Sequence, residues 1–301
     1  MSAQALRPAR HFGAVMSAMV TPLDPQGRLD LDAARRLARW LADNGNEGLV
    51  VAGTTGEAST LTDTELCDLV AAVAEAVTVP VLAGTGSNDT AHSVALTRRA
   101  KALGAAGVLA VGPYYSRPPQ AGIEAHFRAI AAATPLPVML YDVPLRTGRR
   151  VSDDVLLRLF RDVPNIVAFK DATSDAAAAA GLVAEAGEHF DLYSGDDAAT
   201  LPLLAAGACG VIGTTTHWTA RWFRRMLDAF AAGDVQRARQ VHAQLLASLQ
   251  FVNSDDCVFA MSVKAMLRAI GHDAGDCRLP LPPAPAGKVD EARRVWAALS
   301  R

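Results

Sequence analysis

The sequence predicts an α/β fold, a (β/α)8 TIM barrel followed by a C-terminal helical extension. Short apolar runs recur at intervals of about 20–30 residues, the length of one strand–helix unit. The runs are continuously apolar rather than alternating, which is typical of parallel strands covered on both faces. Eight such runs precede residue 214, and eight is the number of strands in a closed barrel of this type. An open, doubly wound sheet is the alternative fold for the same pattern.

The predicted strands share apolar character and an end marked by glycine or a polar side chain. They cover residues 14–20, 48–53, 79–84, 107–112, 137–142, 165–170, 191–195 and 209–213. From residue 217 onward the pattern is helical and longer than one barrel unit requires. We therefore divide the chain into a barrel core, 1–216, and a segment 217–301. The second segment holds the final barrel helix and the extension, with the proline-rich stretch LPLPPAPAG before one last helix.

Helix signals stand between the predicted strands. Thr62 and Glu65 have the spacing of a capping box, in which each side chain bonds the other residue's backbone amide. The next helix opens at Asn88 or Asp89 and stops at Gly104, a residue type common after a helix end. These signals support the alternation of strands and helices.

Composition narrows the function classes. The chain has 301 residues and a formal net charge of −2, which argues against a nucleic-acid or anionic-membrane partner. The apolar stretch AVMSAMV near the N-terminus is too short to span a membrane. Four scattered cysteines lack a C-x-x-C spacing, which argues against a disulfide framework or a zinc site. We expect reduced thiols and a cytoplasmic protein.

Lys170 is the most unusual residue of the sequence. Only four of the 29 basic residues are lysine, and Lys170 ends the apolar run NIVAFK. Lysine is seldom fully buried unless it is paired, and active sites of TIM barrels lie at the carboxyl ends of the strands. A desolvated amine is partly neutral and can attack a ketone to form a Schiff base. The alternative interpretation is an interior lysine paired with a carboxylate.

Other strand ends carry groups that suit carbonyl chemistry. Thr54, Tyr115 and Tyr141 supply hydroxyls for proton transfer. Thr55, with glycine-flanked amides, and Arg146 suit the carboxylate of a keto acid. The set contains no paired histidine and carboxylate ligands, so we predict neither a metal nor another cofactor.

Each of these residues also has a structural alternative. The threonines can cap the next helix, Tyr141 can pack in the core, Tyr115 can fill a loop or a subunit contact, and Arg146 can form a surface salt bridge. Three further residues at strand ends are interpreted as structural from the start: Asp196, Asp197 and His217.

Seven motifs resemble the dihydrodipicolinate synthase family. They are AMVTP, GTTGE, AGTGSNDT, PYYSRPP, LYDVPLRTG, VAFKDAT and YSGDD, which follow one another in order from about residue 14 to about residue 215. Together they are specific for the superfamily of pyruvate-dependent class I aldolases and lyases. They are less specific for one member of it.

The resemblance implies a role for each matching residue. Lys170 matches the lysine that captures pyruvate as a Schiff base, and Thr54, Tyr141 and Tyr115 match the hydroxyls of its proton relay. Thr55 matches the position that holds the pyruvate carboxylate.

Three further positions match substrate-binding residues of the family. Arg146 matches the arginine that receives the carboxylate of aspartate 4-semialdehyde, and Gly195 and Ile212 complete the substrate-binding set. The residue matching Tyr115 reaches into a neighbouring subunit's site. The resemblance therefore implies an oligomer, and we expect a homotetramer built as a dimer of dimers.

The implied activity is condensation of pyruvate with L-aspartate 4-semialdehyde to give 4-hydroxy-tetrahydrodipicolinate, a step towards diaminopimelate and lysine. The first alternative is a related pyruvate-dependent aldolase acting on a 2-keto-3-deoxy sugar acid or an N-acetylneuraminate-like substrate. Arg146 and the sequence GTTGE, rather than GSTGE, favour the synthase. The second alternative is a barrel that binds a keto acid without chemistry, which an intact set of relay residues disfavours.

The chain departs from the family pattern in two places. The stretch NSDDCVFAMSVKAML lacks the Asn-Pro pair often found before the helix of Lys264. The positions that match a lysine-binding allosteric cleft are Ala58, Asp63 and His92, with Asn88 retained. We expect weak or absent inhibition by lysine.

Overall fold

A closed barrel of eight parallel strands, in the order β1 to β8, forms the centre of the computed structural model. The structure describes residues 11–187, 190–252, 254 and 256–299. Because β1 pairs with β8, the sheet has no free edge, and the open doubly wound alternative is wrong. The strands are β1 (Val15–Ala18), β2 (Gly48–Val51), β3 (Val81–Gly84), β4 (Gly107–Val111), β5 (Val138–Asp142), β6 (Ile166–Asp171), β7 (Asp191–Ser194) and β8 (Gly210–Gly213).

Helices alternate with the strands and continue beyond the barrel. The helices before β8 are α1 (Leu31–Asp43), α2 (Asp63–Ala76), α3 (Thr90–Ala100), α4 (Gln120–Ala132), the single turn α5 (Pro144–Thr147), α6 (Asp153–Asp162), α7 (Ala176–Ala186) and α8 (Thr200–Ala205). After β8 come α9 (Thr216–Ala231), α10 (Val235–Phe251), α11 (Phe259–Ala269) and α12 (Lys288–Leu299). The predicted helical extension and its last helix are confirmed.

The local signals act as predicted, with differences at the element ends. The capping box of Thr62 and Glu65 is present at α2, and Asp89 rather than Asn88 caps α3. The observed strands are mostly shorter than the predicted runs because apolarity reports burial rather than ladder pairing. Met19 and Val20, for example, are buried but lie beyond the end of β1.

The barrel interior is filled, so open space remains only at one end. Inward side chains of several strands form an apolar cluster closed below by Phe12. Its members on the strands include Met16, Ala18, Val50, Leu82, Leu109, Met139, Ala168, Tyr193 and Ile212. Because this interior is packed, small molecules reach the barrel only at the carboxyl ends of the strands.

The extension packs beside the barrel. Helix α9 contacts β1 and β8, and α10 packs along α9 and α12. Within the described ranges, no helix is long and apolar enough to cross a membrane.

A buried ion pair ties the extension to the loop after β2. Lys264 Nζ of α11 lies 2.7 Å from Glu57 Oε1, and both side chains are almost fully buried. Lys264 Nζ also donates to the Asp276 carbonyl at 2.9 Å, while the Arg278 amide donates to Glu57 Oε2 at 2.8 Å. Glu57 follows Thr54 and Thr55 in the GTTGE loop, so this pair fixes that loop against α11.

We predict that Lys264→Met lowers the free energy of unfolding by about 3–5 kcal/mol, because it leaves the Glu57 carboxylate buried without its partner. Urea denaturation measures the loss. The double variant Glu57→Gln/Lys264→Met should recover much of it, since no buried charge then remains. As a control, Arg161→Met removes an exposed ion pair to Asp162 and should change stability by less than about 1 kcal/mol. Equal effects of the two single methionine variants would contradict the prediction.

Candidate active site

Lys170 lies inside the open end of the barrel. It sits near the end of β6, in register with Tyr141 of β5 and Tyr193 of β7, and is only 5% exposed. In the part of the chain that the structure describes, no carboxylate forms an ion pair with its amine. The buried amines of Lys264 and Lys288 do have such partners, Glu57 and Glu291. The alternative interpretation of Lys170 as half of an ion pair therefore finds no partner here.

Burial sets the charge of the Lys170 amine. Desolvation lowers the pKa of Lys170 to about 8, and the negative charge of Asp197 opposes part of this effect. About a tenth of the amine is therefore neutral at pH 7, the state in which it is nucleophilic. This is the property that the sequence predicted for a lysine at this strand end.

Asp197 is the acidic residue whose charge acts on Lys170, and the sequence interpretation gave it a structural role only. Its Oδ2 accepts hydrogen bonds from the amides of Thr214 and Thr215 at 2.9 and 3.0 Å, which anchors the loop after β8. Burial raises the pKa of Asp197 to about 6, so the group is mostly ionised at neutral pH. The residue is both an anchor and a source of negative potential. The sequence signal that could have indicated this second role is the position of Asp197 directly after β7, at the end of the barrel where Lys170 lies.

Tyr141 stands beside the amine. Its ring centroid lies 4.4 Å from Lys170 Nζ. Burial raises the pKa of Tyr141 to about 12, although Arg146 and a hydrogen bond with Thr54 act in the opposite direction. The phenol therefore keeps its proton at neutral pH and can donate it. Thr54 is exposed at the rim, whereas Thr55 is buried.

One cavity of about 190 Å³ brings most of the predicted residues together. The predicted residues that line it are Thr54, Thr55, Tyr141, Arg146, Lys170 and Gly195. The extension adds an apolar wall of Leu249, Val252 and Phe259. At Gly195 a side chain would be crowded, because a Cβ there would lie 3.0 Å from Lys170 Cγ and 3.0 Å from the Asp171 carbonyl. Glycine at this position therefore leaves room for the lysine stem.

Arg146 lies at the mouth of this cavity, on the single turn α5. Its side chain remains accessible to solvent, and partial burial lowers the pKa of its guanidinium. The guanidinium carbon lies 4.3 Å from the ring centroid of Phe259. Among the residues described, no carboxylate pairs with it, so its N–H groups are open to an anionic ligand.

Two predicted residues do not line this cavity. Tyr115 is 90% exposed and has a positive φ of 71°, a conformation uncommon for a side chain of this size. It lines a second, adjacent cleft instead. Ile212 lies in the apolar cluster inside the barrel.

His217 has the structural place that the sequence suggested. It is fully buried in the first turn of α9, where Nδ1 donates to the Thr214 carbonyl at 2.7 Å and Nε2 accepts from the Val20 amide at 3.1 Å. It therefore holds two loops together and does not line the cavity around Lys170.

The second cleft has a volume of about 560 Å³. It includes the four positions that the sequence analysis matched to the family's lysine-binding cleft. His92 Nε2 lies 2.8 Å from Asp63 Oδ1 on its wall. Ala58 offers only a methyl group, and Asn88 is the remaining polar side chain of the four. Asp63 and His92, the two titratable residues of the cleft that the sequence analysis named, therefore already contact one another.

The polar groups of the first cavity support carbonyl chemistry. In the described residues, no three or more His, Cys, Asp or Glu side chains converge as a possible metal site. The cavity instead offers one amine, hydroxyls, one guanidinium and the carboxylates of Asp196 and Asp197 around a space suited to a small keto acid.

Comparison with known proteins agrees with this geometry. Residues 11–298 match the model of the dihydrodipicolinate synthetase family. The chain belongs to this family. The resemblance inferred from the seven motifs is thereby confirmed.

Individual relatives cover nearly the whole chain. A 4-hydroxy-tetrahydrodipicolinate synthase of Acidothermus cellulolyticus is 48% identical over 296 residues, which are 97% of this chain and 94% of the relative. A structure of the Cyanidioschyzon merolae enzyme with lysine bound superposes with a TM-score of 0.92 at 39% identity, covering 97% of this chain and 99% of that one. The Acinetobacter baumannii enzyme complexed with pyruvate gives a TM-score of 0.89 at 33% identity, covering 95% and 98%.

We predict that kcat/KM for pyruvate rises about tenfold per pH unit below pH 8 and levels off above it, because only the neutral amine of Lys170 attacks. Steady-state rates across pH 6 to about 10 measure this profile, since kcat/KM reports the free enzyme. In Asp197→Asn the midpoint should move to lower pH, because the charge that favours the ammonium form is lost. A wild-type midpoint near 10.5, the ordinary lysine value, would contradict the prediction.

Proposed function

We propose that this chain condenses pyruvate with L-aspartate 4-semialdehyde through an imine on Lys170, giving 4-hydroxy-tetrahydrodipicolinate. Family membership makes it an enzyme of the 4-hydroxy-tetrahydrodipicolinate synthase type. The observation that carries the proposal is a buried, unpaired Lys170 amine beside a protonated Tyr141, with the open charge of Arg146 at the mouth of the same cavity.

The first steps follow from the amine. Neutral Lys170 Nζ attacks the ketone carbon of pyruvate, and loss of one water gives a protonated imine. The imine withdraws electrons, so a proton leaves the neighbouring methyl group and an enamine forms. Its terminal carbon then attacks the aldehyde of the second substrate, so that a C–C bond replaces the aldehyde π bond, the imine on Lys170 re-forms, and the aldehyde oxygen takes up the proton lost from the methyl group. The amino group of the semialdehyde then attacks the imine carbon, which closes the ring and breaks the bond to Lys170, releasing the free amine.

The hydroxyl groups of the cavity carry out the proton transfers. Tyr141 adjoins both the Lys170 amine and the Thr54 side chain, so it can protonate the departing oxygen of pyruvate and be reprotonated from the rim. Buried Thr55 and the neighbouring amides suit the pyruvate carboxylate. A keto acid whose carboxylate is held at Thr55 and whose ketone oxygen faces Tyr141 has its ketone carbon placed against Lys170 Nζ.

Arg146 favours a second substrate that carries a carboxylate. Its guanidinium lines the cavity mouth and has no acidic partner among the described residues. A carboxylate can engage two of its N–H groups at once, whereas the hydroxyls of a sugar supply no charge. The sugar-aldehyde alternative therefore leaves this cation uncompensated.

Tyr115 supports an oligomer. Its exposed ring lies outside the cavity around Lys170 of its own chain, which supports a relay position filled across a contact between copies. We propose that a second copy supplies this hydroxyl, in a homotetramer. A cytoplasmic location also remains a proposal.

We predict that Arg146→Ala reduces kcat/KM for aspartate semialdehyde about 10²-fold, through loss of charge-assisted hydrogen bonds to its carboxylate. The KM for pyruvate should stay within about twofold. The assay couples product formation to a reductase and NADPH, with a sugar-derived aldehyde run in parallel. The control Arg293→Ala removes an exposed arginine of α12 and should match wild type.

Turnover with the sugar-derived aldehyde alone would contradict the proposed substrate. Lys170 would then keep its role, and Arg146 would be a misassigned residue in a related aldolase.

We predict that the enzyme keeps more than half of its lysine-free activity in about 1 mM lysine. The reason is that Asp63 and His92 already pair with each other and Ala58 offers no polar contact. A site of millimolar affinity would be half filled at that concentration. Titration of initial rates with lysine measures the effect. Inhibition in the micromolar range would contradict the prediction.

A further inference from the structure

We propose that Phe259, a residue of the C-terminal extension, positions Arg146 for the carboxylate of the second substrate. This inference rests on the proposed function, because it concerns the residue that selects the aldehyde. Phe259 begins α11 and lines the cavity opposite α5. No local sequence pattern predicts this role, since Phe259 lies more than a hundred residues from Arg146.

The contact has the geometry of a cation–π pair. The guanidinium carbon of Arg146 lies 4.3 Å from the Phe259 ring centroid, within the range of about 6 Å for such pairs. Phe259 itself is half-buried and packs against the main hydrophobic core. The face of the ring therefore lies against the guanidinium carbon, and the ring is itself held in place.

An aromatic partner has a specific advantage at this position. An acidic partner would occupy the N–H groups of Arg146 and compete with the substrate carboxylate. The ring attracts the cation through its face and uses none of the N–H donors. The flexible arginine stem is restrained while its donating edge remains free for a bidentate carboxylate.

The position of the ring is fixed from both sides. Lys264 lies five residues after Phe259 on α11, about 7–8 Å along the helix axis, and its amine is bound to Glu57. On the preceding side, the Cys257 carbonyl accepts hydrogen bonds from the hydroxyls of Ser254 and Ser262 at 3.2 and 3.1 Å. The loop of Thr54 and Thr55 and the ring of Phe259 are thus joined through one ion pair.

The test is a set of variants assayed with pyruvate and aspartate semialdehyde. Phe259→Leu keeps apolar volume but loses the ring face, and should raise the KM for the semialdehyde about three- to tenfold. The kcat and the KM for pyruvate should stay within about twofold. Phe259→Tyr retains the ring and should stay close to wild type. Phe259→Met replaces the leucine variant if a thermal melt shows that the latter is unfolded.

A double-mutant cycle separates positioning from general packing. In the Arg146→Ala background, Phe259→Leu should have no further effect on the KM for the semialdehyde, because the residue acts through Arg146. An undiminished effect in that background, an equal rise in the KM for pyruvate, or an unchanged KM in Phe259→Leu would overturn the inference.

The same variants distinguish this inference from the proposed function. If Arg146→Ala raises the KM for the semialdehyde and Phe259→Leu does not, only the role of Phe259 fails. If Arg146→Ala itself has no effect, the assignment of the carboxylate-bearing substrate fails, and the inference about Phe259 is overturned with it.

Discussion

Burial of one amine without a bonded partner is the constraint on which the site depends. Desolvation favours the neutral form of a lysine that has no directly bonded carboxylate, whereas the buried amine of Lys264 is bound to Glu57. The barrel provides the desolvation by packing its interior below Lys170. Asp197 acts on the amine without forming an ion pair with it, and its carboxylate accepts hydrogen bonds from the amides of Thr214 and Thr215. The amine therefore stays poised between its two protonation states.

The extension completes the site rather than merely covering the barrel. Helices α10 and α11 supply an apolar wall at the mouth, which excludes water from one side of the cavity. The ion pair of Glu57 and Lys264 joins this wall to the loop of Thr54 and Thr55. The elements that we propose hold pyruvate and orient Arg146 are thereby parts of one packed unit, and a change in α11 is expected to reach the substrate site.

Sequence reasoning was most accurate where one local pattern reports one physical property. Continuous apolar runs located all eight strands, and the Thr62–Glu65 spacing located the start of a helix. The lysine at the end of one apolar run correctly indicated a buried amine at the open end of the barrel. The electrostatic role of Asp197 and the contact of Phe259 with Arg146 were missed, because both depend on neighbours distant in sequence. The proposed role of Tyr115 involves a second copy of the chain, and the placement of Ile212 depends on which face of β8 turns inward.

The central claim is that pyruvate becomes covalently attached to Lys170. The most direct measurement is borohydride reduction of the enzyme incubated with pyruvate alone, followed by peptide mass spectrometry. We expect one reduced pyruvate adduct on the peptide containing Lys170, lost in Lys170→Ala. An adduct on Lys264 or Lys288 instead, or no adduct in an enzyme that turns over, would contradict the account.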